Sequence, residues 1–238
     1  MEFISTEILL SFVTLTLLEI ILGIDNLIFI SLVTAKLPKK NRTKARIFGL
    51  SLALVIRILM LFTLSWIITL TKPIFQLGSF DFSYKSLLLL AGGIFLIVKS
   101  GQEIYQDVFL SLTEENHITE KSSAKTTMLA AIAQITLVDF VFSFDSVITA
   151  VAMTDNLYVI IAAVVISMIV MLLASESISK FLIEYPSLKI IALALIFLVG
   201  IILVADGFGI HISKTYLYFS LFFTLSIEIL NIIAKKRG

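Results

Sequence analysis

Two passages of this chain place acidic side chains inside unbroken apolar sequence, and they match residue for residue. Residues 16–28 read T-L-L-E-I-I-L-G-I-D-N-L-I and residues 136–148 read T-L-V-D-F-V-F-S-F-D-S-V-I, at a constant offset of 120. Thr16 corresponds to Thr136, Glu19 to Asp139, Asp25 to Asp145 and Asn26 to Ser146. A carboxylate within an apolar membrane span is costly unless paired, protonated or bound to a cation, so it marks a functional pathway by default. The donors at these positions are carboxylate, amide and hydroxyl oxygens. Both histidines, His117 and His211, fall in loops, and cysteine is absent. Such an all-oxygen set suits Mn²⁺, Mg²⁺ or Ca²⁺ rather than Zn²⁺ or Cu⁺, and it also accepts Na⁺ or H⁺.

One firm cation, Arg57, stands against these four acids within the apolar spans. A site with four ionised carboxylates and one guanidinium carries surplus negative charge that low dielectric does not tolerate. It is expected to take up protons, bind a cation, or both. Arg57 is expected to pair with one of the acids. The plainer alternative is that the acids serve only as interhelical contacts, although structural polar contacts in membranes mostly use uncharged residues.

The elements that position these groups are read from composition and hydropathy. Of 238 residues, 59% are apolar and 15% charged, and the mean hydropathy is +1.08. Soluble domains carry about 25% charged residues, so the chain is expected to be an all-α integral membrane protein. Continuously apolar runs indicate helices rather than a barrel, with seven transmembrane helices near 8–35, 47–70, 86–104, 127–153, 157–175, 187–205 and 215–234. Pro38, Pro73 and Pro186 all fall at span ends. The opening M-E-F-I-S-T-E is acidic where a secretory signal is basic, so the first span is expected to be retained.

Fourteen of the eighteen lysines and arginines fall in the first, third and fifth loops and the tail, against Lys72, Lys85 and Lys214 on the other side. The positive-inside rule then places the N-terminus out and the C-terminus in the cytoplasm, and explains the basic loop without nucleic acid. Trp66 fits an interfacial anchor, and Gly92 and Gly93 a packing notch.

The offset equates the first span with the fourth, so the repeat unit is three helices. An odd number of crossings makes the second unit enter from the opposite face, which gives a 3+3 inverted repeat plus one helix. The expected organisation is residues 1–104 as the first repeat, 105–126 as a cytoplasmic linker, 127–205 as the second repeat, and 206–238 as the seventh helix and basic tail. Inversion predicts that Glu19 meets Asp145 and that Asp25 meets Asp139. Thr16, Glu19 and Asn26 share one helix face, with Asp25 about 100° round from Asn26. Gly23 and Ser143 lie between the acids of each half, where local unwinding would bring both acids to one cavity; Gly23 would equally allow close helix packing.

The passages L-E-I-I-L-G-I-D-N-L-I-F-I-S-L-V at 18–33 and D-F-V-F-S-F-D-S-V-I-T-A-V at 139–151 resemble the TerC family of integral membrane proteins. K-L-P at 36–38, Arg57 and the Y-L-Y-F stretch at 216–219 resemble its short stand-alone YgdQ-like branch. The resemblance covers nearly the whole chain. It implies a seven-helix fold related to the LysE transporter superfamily, location in the cell's inner membrane and, for several relatives, manganese export. It also implies a role for Glu19, Asp25, Asn26, Asp139, Asp145 and Ser146 as membrane-embedded ligands, with Thr16, Arg57 and Thr136 in support.

The expected function is therefore secondary transport of divalent metal, manganese for preference, out of the cytoplasm in exchange for protons. No permanently bound cofactor is expected, since the cation is cargo. The expected partners are the metal ion, protons and the bilayer, with no nucleic acid, and a homo-oligomer is left open. Two other classes compete. A membrane assembly or metallation partner would bind client proteins and move no ions. An intramembrane aspartyl protease would use Asp25 and Asp145 as a dyad, but Gly23-Ile24-Asp25 matches the glycine-containing protease motif only in part, and the symmetric extra acids fit ion binding better.

Overall fold

The structure, a computed structural model, describes residues 6–63, 70–77, 80–110, 127–154 and 156–235. Trp66 and most of the linker, with Glu114, Glu115, His117 and Glu120, lie outside the described residues. The elements are α1 (Thr6–Leu22), α2 (Ile24–Ala35), α3 (Lys39–Phe62), β1 (Pro73–Leu77), β2 (Phe80–Ser83), α4 (Tyr84–Tyr105) with a wider π turn at Gln106–Leu110, α5 (Met128–Met153), α6 (Leu157–Glu184), α7 (Pro186–Gly207) and α8 (Lys214–Lys235). Among the described residues, six helices are long and apolar enough to cross a membrane, and α1 with α2, bent by 44° at a short break, makes a seventh where the pair is counted as one span. The protein is an all-α integral membrane protein, with one short hairpin among the described residues.

Helix boundaries follow local chemistry. Ser83 Oγ accepts the Ser86 amide at 3.1 Å, and Thr127 Oγ1 accepts the Ala130 amide at 3.2 Å, capping α4 and α5. Pro186 opens α7, where its missing N–H removes no helical bond. Arg42 Nε donates to the Leu37 carbonyl at 2.8 Å and its Nη2 to the Ala35 carbonyl at 2.7 Å, satisfying the end of α2.

Three expectations change. The basic stretch after the first span is helix from Lys39 rather than loop, because lysine, arginine and alanine favour helix and nothing after Pro38 breaks it. The segment after the second span holds an antiparallel hairpin, with Leu77 opposite Phe80 and Gln76 opposite Asp81. The two symmetric breaks differ: span one bends at Gly23, whereas α5 runs unbroken through Ser143.

The chain divides into two compact units that each draw on both halves of the sequence: residues 1–70 with 124–181, and 71–123 with 182–238. Within the first, a Cβ on Gly49 would meet Ile135 at 2.9 Å, and Arg57 reaches Ser143. Both pairs are 86 residues apart, so α3 and α5 run in the same direction. Glu19 meets Arg57 and Leu37 meets Arg42, so span one runs opposite to α3 and hence to α5.

Within the second unit, α4 and α7 pack along their lengths in opposite directions: Gly207 lies against Ser86 and Leu90, Gly93 against Gly200 and Val204, and Gly101 against Phe197. The backbones come closest at Gly93, where a Cβ would stand 2.7 Å from the Gly200 carbonyl oxygen. Backbone cannot move aside as a side-chain end can. Gly93→Ala is thus expected to lower the unfolding temperature of the detergent-solubilised protein by several degrees, a cost of about 1–3 kcal/mol. Gly101→Ala, whose added methyl would meet only Phe197 at 3.7 Å, is expected to leave it nearly unchanged. Equal shifts for the two variants would contradict this packing.

Candidate functional site

Span one, α3 and α5 bring one guanidinium against two acids inside the first unit. Arg57 Nη1 lies 2.5 Å from Glu19 Oε2 and Nη2 lies 3.4 Å from Asp139 Oδ1. Its Nε donates to Ser143 Oγ at 2.8 Å, and that hydroxyl donates onward to Asp139 Oδ2 at 3.0 Å. Asn26 Nδ2 donates to Asp139 Oδ1 at 3.1 Å. Arg57 and Asp139 are each 2% exposed and Glu19 4%. A buried pair of like charges on separate helices is tolerable only with a counter-charge between them, and the planar fork of arginine supplies separate donors for each acid.

The residues singled out by sequence are placed as follows. Glu19, Asn26, Arg57 and Asp139 come together, as the shared face of Glu19 and Asn26 requires. The expected pairings do not describe this site: Glu19 and Asp139 are joined through Arg57, and Asn26, not Asp25, donates to Asp139. The reason is angular. Asn26 continues the Glu19 face, whereas Asp25 sits one helical step round it.

Asp25 is buried in the first turn of α2, where the bend at Gly23 sets its carboxylate near a helix N-terminus that favours negative charge. Asp145 is half-buried on α5, about 120° round from Asp139 by helical geometry. Thr16 donates to the Phe12 carbonyl at 2.8 Å and Ser146 to that of Ser143 at 3.3 Å, so both hydroxyls serve their own helices. Among the described residues, no three acidic or histidine side chains converge as metal ligands.

Two oxygens beside Asp139 are left over. A carboxylate accepts and cannot donate when ionised, so Asn26 must turn its amide nitrogen to Asp139. Its Oδ1 is then buried without a partner. Thr136, one turn before Asp139 on the same face, has a buried Oγ1 without a partner as well. Asn26 is 2% exposed and Thr136 8%, so water outside the protein does not serve them. Buried unpaired oxygens are rare and point to an absent ligand or ordered water.

Sequence reading missed Ser143 as a side-chain ligand, treating it as a point of unwinding. The signal was its spacing of four from Asp139, which places both on one face. It also missed the link between α3 and α6, where Arg46 Nη2 lies 3.6 Å from Glu176, itself paired with Lys180 at 2.8 Å.

The fold and this site define a multi-pass membrane protein with an ion-paired polar centre. The chain belongs to the TerC family: a family model described as "Integral membrane protein TerC family" matches residues 4–237. It is similar to the UPF0053 inner membrane protein YgdQ of Escherichia coli (strain K12), 47% identical over 225 residues that cover 94% of this chain and 92% of that protein. A UPF0053 protein of Haemophilus influenzae is 45% identical over 97% of this chain and 95% of its own length. The UPF0053 inner membrane protein YoaE of Escherichia coli (strain K12) is 45% identical over 94% of this chain, but only 42% of YoaE is covered. No solved structure matches the chain. With its spans and these relatives, the protein is a multi-pass inner-membrane protein.

The hydrogen-bond pattern separates the two hydroxyls that flank Asp139 on α5. Ser143→Ala removes an acceptor for Arg57 and a donor to Asp139 and is expected to cost about 1–3 kcal/mol of stability. Thr136→Val removes an unpaired hydroxyl and is expected to change stability by less than about 0.5 kcal/mol. Thermal unfolding in detergent checks both; a larger loss for Thr136→Val would mean that its hydroxyl has a structural partner.

Proposed function

We propose that this protein is a secondary transporter that exports divalent metal ions, manganese for preference, from the cytoplasm in exchange for protons. The observation that carries the reading is the set of buried oxygens on span one and α5. Glu19 and Asp139 are held by a single guanidinium, Asp25 and Asp145 repeat the acidic pattern, and Asn26 Oδ1 and Thr136 Oγ1 lie beside Asp139 without partners. Hard oxygen donors suit hard cations. The same carboxylates, embedded among apolar helices, can take up a proton where they release a metal. The metal here is substrate, not a resident cofactor.

Membership of the TerC family supports transport over catalysis. The names of the similar proteins state a membrane location and no cargo, so manganese rests on the family resemblance. Glu19, Asp25, Asn26, Asp139, Asp145 and Ser146 are the proposed cation ligands, with Thr16, Arg57 and Thr136 in support. The halves of the sequence act as inverted repeats around them.

Flux of Mn²⁺ into proteoliposomes tests this directly. Wild-type protein is expected to carry Mn²⁺, and Asp25→Asn and Asp145→Asn are each expected to lower the flux at least about tenfold, the loss of one charged ligand. A folded wild type that moves none of Mn²⁺, Mg²⁺ and Ca²⁺ would overturn transport and leave the assembly or metallation partner as the better reading.

A further inference from the structure

The guanidinium of Arg57 already occupies oxygens that a cation would need. Glu19 Oε2 and Asp139 Oδ1 both face it, and Asp139 Oδ2 is engaged by Ser143, which Arg57 also holds. Arginine does not give up its proton in proteins, so these oxygens become available only when the side chain moves. We propose that Arg57 is a tethered counter-cation: guanidinium and divalent cargo exclude one another at Asp139, and the return of the guanidinium helps expel the cargo. This rests on the transport reading and adds to it a residue that sets affinity and release.

Repulsion supports exclusion at Asp139: a guanidinium and a divalent cation on the same carboxylate would stand within a few ångströms of each other, out of water, where like charges repel strongly. Geometry then indicates which acid is yielded. Arg57 lies 2.5 Å from Glu19 but 3.4 Å from Asp139, so the Asp139 contact is the weaker one. The unpaired Asn26 Oδ1 and Thr136 Oγ1 are also on the Asp139 side. The cation would therefore take Asp139 with those two oxygens, while Arg57 withdraws toward Glu19. A long side chain with three aliphatic carbons can make this shift without moving α3.

Equilibrium Mn²⁺ binding to the purified full-length protein, read beside Mn²⁺ flux in proteoliposomes, tests the inference. Arg57→Gln is expected to bind Mn²⁺ about tenfold tighter yet transport it about tenfold more slowly, because the competing charge is gone. Arg57→Lys keeps the charge without the fork and is expected to fall between Arg57→Gln and wild type in both measurements. A merely structural arginine would instead lose binding and flux together.

Ser143→Ala provides the second variant should Arg57→Gln fail to fold. It removes the Nε anchor and is expected to tighten Mn²⁺ binding about two- to threefold. Unchanged or weaker binding in Arg57→Gln, or in Ser143→Ala where that variant stands in, overturns the inference while wild-type flux leaves the transport reading intact. A wild type that neither binds nor moves Mn²⁺, Mg²⁺ or Ca²⁺ overturns both.

Discussion

A guanidinium between two carboxylates, all three removed from water, is the constraint around which the first unit is arranged. Glu19 and Asp139 sit on different spans, and neither charge would be tolerated there alone. Arg57, on a third helix, reaches both while its Nε takes Ser143. Three separate donor directions are in use. A lysine ammonium at the same position would supply charge but not this planar division of labour. The relative rotation of span one, α3 and α5 is thereby fixed by polar chemistry. In an apolar solvent, packing alone discriminates weakly between rotations.

The two halves share a pattern but do not use it identically. Span one bends by 44° at Gly23, and a Cβ there would stand 2.5 Å from Met171 Sδ. The missing side chain permits the close approach of α6 at the bend. Its counterpart Ser143 lies within the unbroken α5 and offers a hydroxyl to the ion pair instead. Thr16 spends its hydroxyl on its own helix, whereas Thr136 leaves one unpaired. An inverted repeat with identical halves would present the same ligands to both sides of the membrane. Here the unpaired oxygens beside Asp139 come one from each half, Asn26 from the first and Thr136 from the second.

The spans were legible because a bilayer demands long apolar helices, and that demand is written in every such stretch. What sequence alone did not resolve was rotation within one helical step. Asp25 and Asn26 are neighbours, and only the helix phase decides which one meets Asp139. The hairpin at 73–83 escaped for a different reason. Its apolar residues at 75, 77, 80 and 82 alternate around Gly78-Ser79, a hairpin signal that a wide hydropathy window averages away. The start of α3 at Lys39 escaped because positive charge was read as loop, although basic residues favour helix well.

The ion pair is also assembled across time. Arg57 and Asp139 are 82 residues apart, so the ribosome delivers one well before the other, by about 4–16 s at ordinary rates of synthesis. During that interval the first two spans must enter the bilayer with Arg57 answered by Glu19 alone, and with the Ser143 acceptor not yet made. The nascent first half therefore has an incompletely satisfied polar face that only span four can cover. Biogenesis of the protein is then a matter of completion as well as insertion, because the polar partners of Arg57 on α5 exist only once that later helix has been made.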